Sequence, residues 1–296
     1  MGPLPHNPRM LSPLISAGEL RQRLDRGDRL RVIDCSFDLT DPSAGRRLFE
    51  SEHLPGAVHA DLDLDLSDKS RGPTEGRHPL PARETFAARA AAWGIGDDTE
   101  VVVMDRAGIA FAGRLWWMLR WCGHAAVTIL DGGLAAWKAA GGPVATGPAH
   151  PPKRAPEPAR FTLRPALEQA IDTAGLLARV GQPGLALIDA RAAARFRGEV
   201  EPLDPVAGHI PGALNRPFGD NLLPDGRFKP AEVLRAEFTA LLAGRDPATV
   251  VHQCGSGVSA IPNLVAMAIA GLDRGTLYPG SWSAWCHTPG TPRARG

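Results

Sequence analysis

The chain is 296 residues long, enough for two domains of ordinary size. Its 33 basic and 32 acidic residues are scattered and leave a formal net charge of +1, which argues against nucleic acid or membrane partners. No apolar stretch approaches the roughly 20 residues of a membrane span, and the start of the chain (1–16) has no signal-peptide core. We therefore expect a soluble, cytoplasmic protein with a loose N-terminal arm.

Helical and strand-like segments alternate along the chain. The first helix is predicted to begin after Ser16, because a serine followed three residues later by Glu19 is a capping box. The alternation predicts an α/β fold, in which a mainly parallel sheet has helices on both faces and sites at the carboxyl ends of strands. The predicted strands are residues 30–34, 100–105, 127–131, 185–189 and 249–253, and the clearest later helices are residues 114–123 and 230–244.

Three segments occur twice, about 150 residues apart, which is too long a period for a solenoid and indicates a duplicated domain. We predict an N-terminal domain at 1–145, a proline-rich linker at 146–160 and a C-terminal domain at 161–296. The matching pairs are LRVIDCSF (30–37) with LALIDARA (185–192), HLPGAVHAD (53–61) with HIPGALNRP (209–217), and DGGLAAW (131–137) with PGSWSAW (279–285).

The four cysteines are widely spaced and include no Cys-x-x-Cys pair, so neither a disulfide framework nor a zinc site is predicted. The nine histidines do not cluster at metal-ligand spacing either, and no cofactor is expected. We expect Cys35 and Cys122 to be core residues and Cys286 to lie at the surface.

Cys254 is different, because it stands between a strand-like run and a glycine-rich turn in VVHQCGSGVSA (250–260). A thiol needs its thiolate stabilised to be a nucleophile at neutral pH. The backbone N–H groups of residues 255–259 and the start of the following helix can provide that stabilisation, since glycines permit a tightly curled loop. Pro262 is compatible with the first turn of that helix. The pattern predicts a catalytic cysteine.

From about Ile15 to Trp285 the chain resembles the two-domain rhodanese-like sulfurtransferases. The resemblance is carried by the paired H-[IL]-P-G-A segments, DGGLAAW, DARAAARFRGEVEP, CGSGVSA and YPGSWSAW. It implies a ping-pong reaction, in which the Cys254 thiolate takes a sulfane sulfur from a donor and passes it from a persulfide to cyanide or a thiol. A thioredoxin-like reductant is a further candidate partner. Asp105 stands at the corresponding position of the first domain, which is therefore expected to be catalytically silent.

The loop Gly255, Ser256, Gly257, Val258, Ser259 is most similar to that of members that use 3-mercaptopyruvate. By the resemblance, Ser256 works with His78 and Asp63 of the first domain, so the site lies in the interdomain cleft. Arg195, with Arg191 as another candidate, is the cation expected to bind the donor carboxylate.

Two positions depart from the family pattern: Leu203 and Asp204 replace a second substrate arginine, and Ala284 replaces a glutamate. Thiosulfate therefore stays an alternative donor. An alternative role for the protein is that of a weakly active sulfur carrier or regulatory protein. A cysteine phosphatase is excluded, because its Cys-x5-Arg pattern requires arginine where this chain has Ala260.

Overall fold

Two five-stranded parallel sheets organise the residues that the computed structural model describes, 12–148 and 159–296. The first sheet has the order β1-β5-β4-β2-β3 and the second has the order β6-β10-β9-β7-β8. The strands of the first are β1 (Leu14–Ile15), β2 (Leu30–Asp34), β3 (Val58–His59), β4 (Glu100–Met104) and β5 (Val127–Leu130). Those of the second are β6 (Gln169–Ala170), β7 (Ala186–Asp189), β8 (Leu214–Asn215), β9 (Val250–Gln253) and β10 (Thr276–Leu277).

Ten α-helices cover the two sheets in the described part of the chain. The first five are α1 (Ala17–Asp25), α2 (Ala44–Ser51), α3 (Arg83–Ala92), α4 (Ala110–Trp121) and α5 (Gly133–Ala139). The second five are α6 (Thr173–Leu177), α7 (Ala193–Phe196), α8 (Ala231–Leu242), α9 (Ile261–Ile269) and α10 (Ser281–His287). None of these helices is long and apolar enough to cross a membrane.

The predicted duplicated α/β fold is confirmed, since both halves repeat the same strand order with the same parallel pairing. The predicted domain boundaries stay a prediction, and residues 149–158 of the predicted linker lie outside the described residues. The predicted loose arm is wrong for its last residues. Leu14 and Ile15 form β1, which pairs with β5, and Ser16 caps α1 by accepting the N–H of Glu19. The earlier part of the arm, 1–11, is outside the described residues.

The repeated histidines have the same structural role in both halves. His53 stacks on Phe49 and bonds to its carbonyl oxygen through Nδ1 at 2.8 Å. His209 stacks on Phe196 and bonds to that carbonyl at the same distance. The described residues contain no cluster of metal-ligating side chains. These two histidines hold neighbouring loops in place.

The two halves share one apolar core. Helix α4 from the first half packs on α9 from the second, and buried side chains from both belong to one continuous cluster. The two helices are close together at Gly113, where a Cβ would lie 3.1 Å from Cγ2 of Ile261. Glycine at this position lets the two helices come together.

We predict that Gly113→Leu lowers the free energy of unfolding by about 1–3 kcal/mol, because the new side chain must push α4 away from α9. The matched control is Gly18→Leu in exposed α1, where a Cβ would meet no atom within 4 Å. That change should be neutral or slightly stabilising, since it removes a helical glycine. Chemical denaturation of both variants measures the difference, and equal stabilities would contradict the close packing.

Candidate active site

Cys254 follows β9 directly, at the carboxyl end of the central strand of the second sheet, and is 1% exposed. Its N–H donates to Oγ of Ser281 at 3.0 Å, and the same hydroxyl lies 4.0 Å from the Cys254 sulfur. The N–H groups of Trp282 and Ser283 donate to the carbonyl oxygens of Cys254 and Gly255 at 3.0 and 2.8 Å. The start of α10 therefore holds the cysteine in place.

The loop after Cys254 leaves its amides free. Gly257 has a φ of +72°, and a Cβ there would overlap the carbonyl oxygen of Pro279, so no other residue fits this turn. In the part of the chain that the structure describes, no protein acceptor is bonded to the N–H groups of residues 255–259. Buried amides without partners are costly unless a ligand or the thiolate receives them. The loop is therefore suited to an anion.

The corresponding loop of the first half shows what such amides can hold. Asp105 occupies the position of Cys254, and its Oδ1 accepts the N–H groups of Ala107 and Ile109 at 2.8 and 3.0 Å. Its Oδ2 accepts those of Phe111 and Ala112, both at 2.9 Å. Burial raises the pKa of Asp105, and the four donated bonds oppose that shift. The first loop therefore binds its own carboxylate, whereas the amides of residues 255–259 beside Cys254 have no protein acceptor among the described residues.

The predicted partners of Ser256 come together across the cleft. His78 from the first half is 3% exposed, and its Nδ1 lies 2.8 Å from Oγ of Ser256. Its Nε2 lies 3.3 Å from Oδ1 of Asp63, which Lys69 also approaches at 2.9 Å. The three groups form a chain from serine through histidine to aspartate. Their roles in the reaction stay a prediction.

Burial and charge determine where the protons lie in the series of contacts from Ser256 through His78 to Asp63. The bond to His78 lowers the pKa of Asp63 to about 2, so Asp63 is ionised and can only accept. Burial lowers the pKa of His78 to about 4, which keeps the imidazole neutral at physiological pH. The ionised Asp63 beside Nε2 of His78 favours the tautomer with its proton on Nε2, which leaves Nδ1 to accept the hydroxyl of Ser256.

The two predicted substrate arginines differ in position. Arg195 is held by Glu201 at 2.6 Å and lies 3.4 Å from Asp204, and its Nη1 points at Gly255. Arg191 is 1% exposed on its side chain and is fully used by Asp189, Glu201 and the carbonyl of Gly208. The structure thus brings Arg195 to the cysteine loop and places Arg191 in the supporting framework, where burial weighs against contact with a donor.

Sequence reasoning did not single out two arginines from the first half that reach the loop. Arg114 is completely buried in α4 and donates to the carbonyl oxygens of Gly257 and His78 at 3.0 and 2.9 Å. Arg77 lies with Nη2 3.2 Å from the point where Gly255 would carry a Cβ. A signal for Arg114 was its place as a lone charge in the apolar run AFAGRLWWML (110–119). For Arg77, the only signal in the sequence was its position next to His78.

The other cysteines lie in environments that disfavour a thiolate. Burial raises the pKa of the Cys35 and Cys122 thiols, and both residues are core residues as predicted. The surface prediction for Cys286 is wrong: this residue is 6% exposed, because α10 packs its Trp285 face into the core, and burial raises its pKa to about 11. Ser259 is half-buried at the end of the loop.

The low pKa of His78 makes stability depend on pH. The unfolded chain binds a proton at this residue near pH 6.5, whereas the folded protein does so only near pH 4. The free energy of unfolding should therefore fall as the pH falls through this window, by roughly 3 kcal/mol from this group. His252, whose pKa burial lowers to about 3, acts in the same direction. Urea unfolding at several pH values measures the slope. His78→Gln should make it shallower, and an unchanged slope would contradict the buried neutral imidazole.

Comparisons with known proteins identify the family of this chain. The chain matches the rhodanese-like domain family over residues 16–140 and again over residues 172–288. It is 50% identical over 284 residues to a probable 3-mercaptopyruvate sulfurtransferase from Pseudomonas aeruginosa, covering 96% of this chain and 98% of the relative. It is 40% identical over 284 residues to the putative thiosulfate sulfurtransferase SseB from Mycobacterium tuberculosis, covering 96% and 97%.

A solved structure is similar over almost its whole length. The crystal structure of SseA from Escherichia coli, described among the 3-mercaptopyruvate sulfotransferases, has a TM-score of 0.76 and 31% sequence identity, covering 92% of this chain and 99% of that chain. The two parallel sheets, the two family matches and these long alignments all agree. The chain therefore belongs to the rhodanese-like domain family, as a tandem two-domain member.

Proposed function

We propose that this protein is a sulfurtransferase that moves a sulfane sulfur from 3-mercaptopyruvate, through a persulfide on Cys254, to a thiophilic acceptor such as cyanide or a thiol. The observation that carries the proposal is the loop of open amides around a buried cysteine, whose counterpart in the silent half is filled by the carboxylate of Asp105. A thioredoxin-like reductant is a candidate acceptor, because it presents a reactive thiol.

The sulfur transfer is a displacement at the donor sulfur. The Cys254 thiolate attacks the sulfur of 3-mercaptopyruvate, an S–S bond forms, and the C–S bond breaks with its electron pair moving to carbon. The resulting pyruvate enolate takes up one proton and leaves as pyruvate. The thiol proton of the donor stays on the outer sulfur, as Cys–S–SH. Cyanide then attacks that sulfur, which yields thiocyanate, restores the Cys254 thiolate and releases the proton to solvent. The loop amides hold the anionic sulfur through both steps.

The chain of Ser256, His78 and Asp63 supplies the proton that the enolate needs. Nδ1 of His78 is free of a proton and bonded to the hydroxyl of Ser256, so this chain can take the thiol proton as the thiolate forms. Asp63 stabilises the imidazolium that results, and the proton returns through Ser256 to the enolate.

The choice of donor depends on the leaving group of the sulfur transfer. Sulfite, the leaving group of thiosulfate, requires no proton, so the chain through His78 is useful only for the enolate of 3-mercaptopyruvate. Two guanidiniums from Arg77 and Arg195 approach Gly255, however, although the loop itself carries no cation. They would also favour the doubly charged thiosulfate. Thiosulfate is therefore the second candidate donor, and the relative from Mycobacterium tuberculosis carries that name.

We predict that incubation with donor adds the mass of one sulfur atom to the wild-type protein, and that Cys254→Ser abolishes this addition. The matched controls are Cys35→Ser, Cys122→Ser and Cys286→Ser, which should keep the added sulfur because burial disfavours the thiolate at all three sites. Intact-protein mass spectrometry makes the measurement. Persulfide formation by the Cys254 variant would contradict the proposed mechanism.

We also predict a higher kcat/KM for 3-mercaptopyruvate than for thiosulfate, with cyanide as the common acceptor. Ser256→Ala should lower turnover of 3-mercaptopyruvate by about 100-fold, since it breaks the proton path, and should change thiosulfate turnover only a few-fold. The thiosulfate reaction of the same variant is the control for an intact fold and cysteine. If the wild-type protein instead prefers thiosulfate, the donor assignment is wrong and the alternative takes its place.

A further inference from the structure

We propose that Arg77, which comes from the first half of the chain, is the second donor-binding cation of the Cys254 site and replaces the arginine that the family pattern places at residue 203. This inference rests on the proposed function and specifies how the anionic end of the donor is bound. Arg77 and Arg195 together would grip the donor carboxylate beside the cysteine.

The first observation that supports this role is the position of Arg77. Nη1 of Arg77 donates to the carbonyl oxygen of Leu203 and to Oδ1 of Asp204, each at 3.2 Å. Leu203 and Asp204 are the residues that stand where the second substrate arginine is expected. A guanidinium thus reaches this segment from the other side of the cleft. The cation that the local sequence lacks is supplied by the partner domain.

The second observation is that N–H groups of Arg77 and Arg195 have no acceptor among the described residues. Nη2 of Arg77 and Nη1 of Arg195 lie 3.2 and 3.4 Å from the point where a Cβ of Gly255 would stand. Neither nitrogen donates to any acceptor among the residues that the structure describes, and Nε of Arg77 is buried without one. Two open guanidinium edges therefore converge next to Cys254. Glycine at 255 keeps that space empty.

The surrounding acids orient these edges and do not cover them. Glu201 holds Nε and Nη2 of Arg195 at 3.3 and 2.6 Å, and Asp204 lies between Arg195 and Arg77 at 3.4 and 3.2 Å. Both acids are almost completely buried on their side chains. Each guanidinium is thereby fixed from one side, and its opposite side is presented to the loop. Fixed, partly desolvated cations of this kind bind a carboxylate strongly and in one orientation.

The competing interpretation is that Arg77 only ties the two halves together through its ion pair with Asp204. A purely structural tie would affect folding and all reactions of Cys254 alike. A donor-binding cation would instead affect anionic reagents and leave neutral ones unchanged. The two interpretations therefore differ in a property that can be measured at the cysteine itself.

The first measurement is steady-state kinetics of Arg77→Gln with 3-mercaptopyruvate and cyanide. We expect kcat/KM to fall by about 10- to 100-fold, mainly through a higher KM, as for the loss of one charge-assisted bond. The matched control is Arg71→Gln, which removes another arginine of the first half. Arg71 is half-exposed and, among the described residues, forms an ion pair only with nearby Glu75. The control should retain wild-type kinetics.

The second measurement does not require turnover. Alkylation of Cys254 by anionic iodoacetate and by neutral iodoacetamide is followed by peptide mass spectrometry, and the ratio of the two rates is compared between proteins. Arg77→Gln should lower this ratio about tenfold, while Arg71→Gln leaves it unchanged. An unchanged ratio in a folded Arg77→Gln protein would overturn the inference.

The two measurements separate the inference from the proposed function. If the wild-type protein does not turn over 3-mercaptopyruvate but Arg77→Gln still lowers the alkylation ratio, the donor assignment fails and Arg77 remains an anion-binding residue. If Arg77→Gln does not fold, Arg77→Lys replaces it. Lysine keeps a charge near Asp204 but loses the second N–H edge, so the ratio should fall several-fold, and a wild-type ratio would count against the inference.

Discussion

A single guanidinium, buried between the two halves of the chain, connects the parts on which the site depends. The side chain of Arg114 projects from an apolar helix of the first half. It donates to the carbonyl oxygen of Gly257 in the cysteine loop and to that of His78, which contacts Ser256. Burial lowers its pKa to about 10, yet it stays charged at neutral pH. Removing it would leave several buried carbonyls without partners, a cost of about 1–3 kcal/mol for each. The loop and the histidine are thereby held in one geometry.

The duplication explains why such a connection is needed. Each half provides a loop of amides at the carboxyl end of its central strand, but only the first loop contains a carboxylate of its own. In the first half, Asp105 satisfies four amides with its own side chain, so that loop is closed and complete. In the second half, the amides of residues 255–259 have no protein acceptor among the described residues. The first half places His78, Asp63, Arg77 and Arg114 beside that loop.

The extent of ion pairing distinguishes the arginines near the cysteine loop from the arginine that supports the fold around it. Arg191 is fully paired with buried acids and stacks 4.9 Å above the ring of Trp282, so its charge is used to hold the fold. Arg195 and Arg77 are paired on one side only and keep open N–H groups near Gly255. The arginines of this region therefore differ in how many of their donors the protein itself satisfies.

The sequence alone determined the α/β class and the duplication, and it predicted a catalytic role for Cys254, because hydrophobic periodicity, repeated segments and a glycine-rich turn are local features of the chain. It also predicted through family resemblance that Ser256, His78 and Asp63 belong together. It could not predict that Arg77 and Arg114 reach the loop, that Arg191 is buried in ion pairs, or that Cys286 is covered. The burial of Arg191 and Cys286 depends on tertiary packing within the second half, around Asp189, Glu201 and α10. The positions of Arg77 and Arg114 depend on how α4 and α9 pack, since residues more than 100 positions apart become neighbours only when the two halves close on one core.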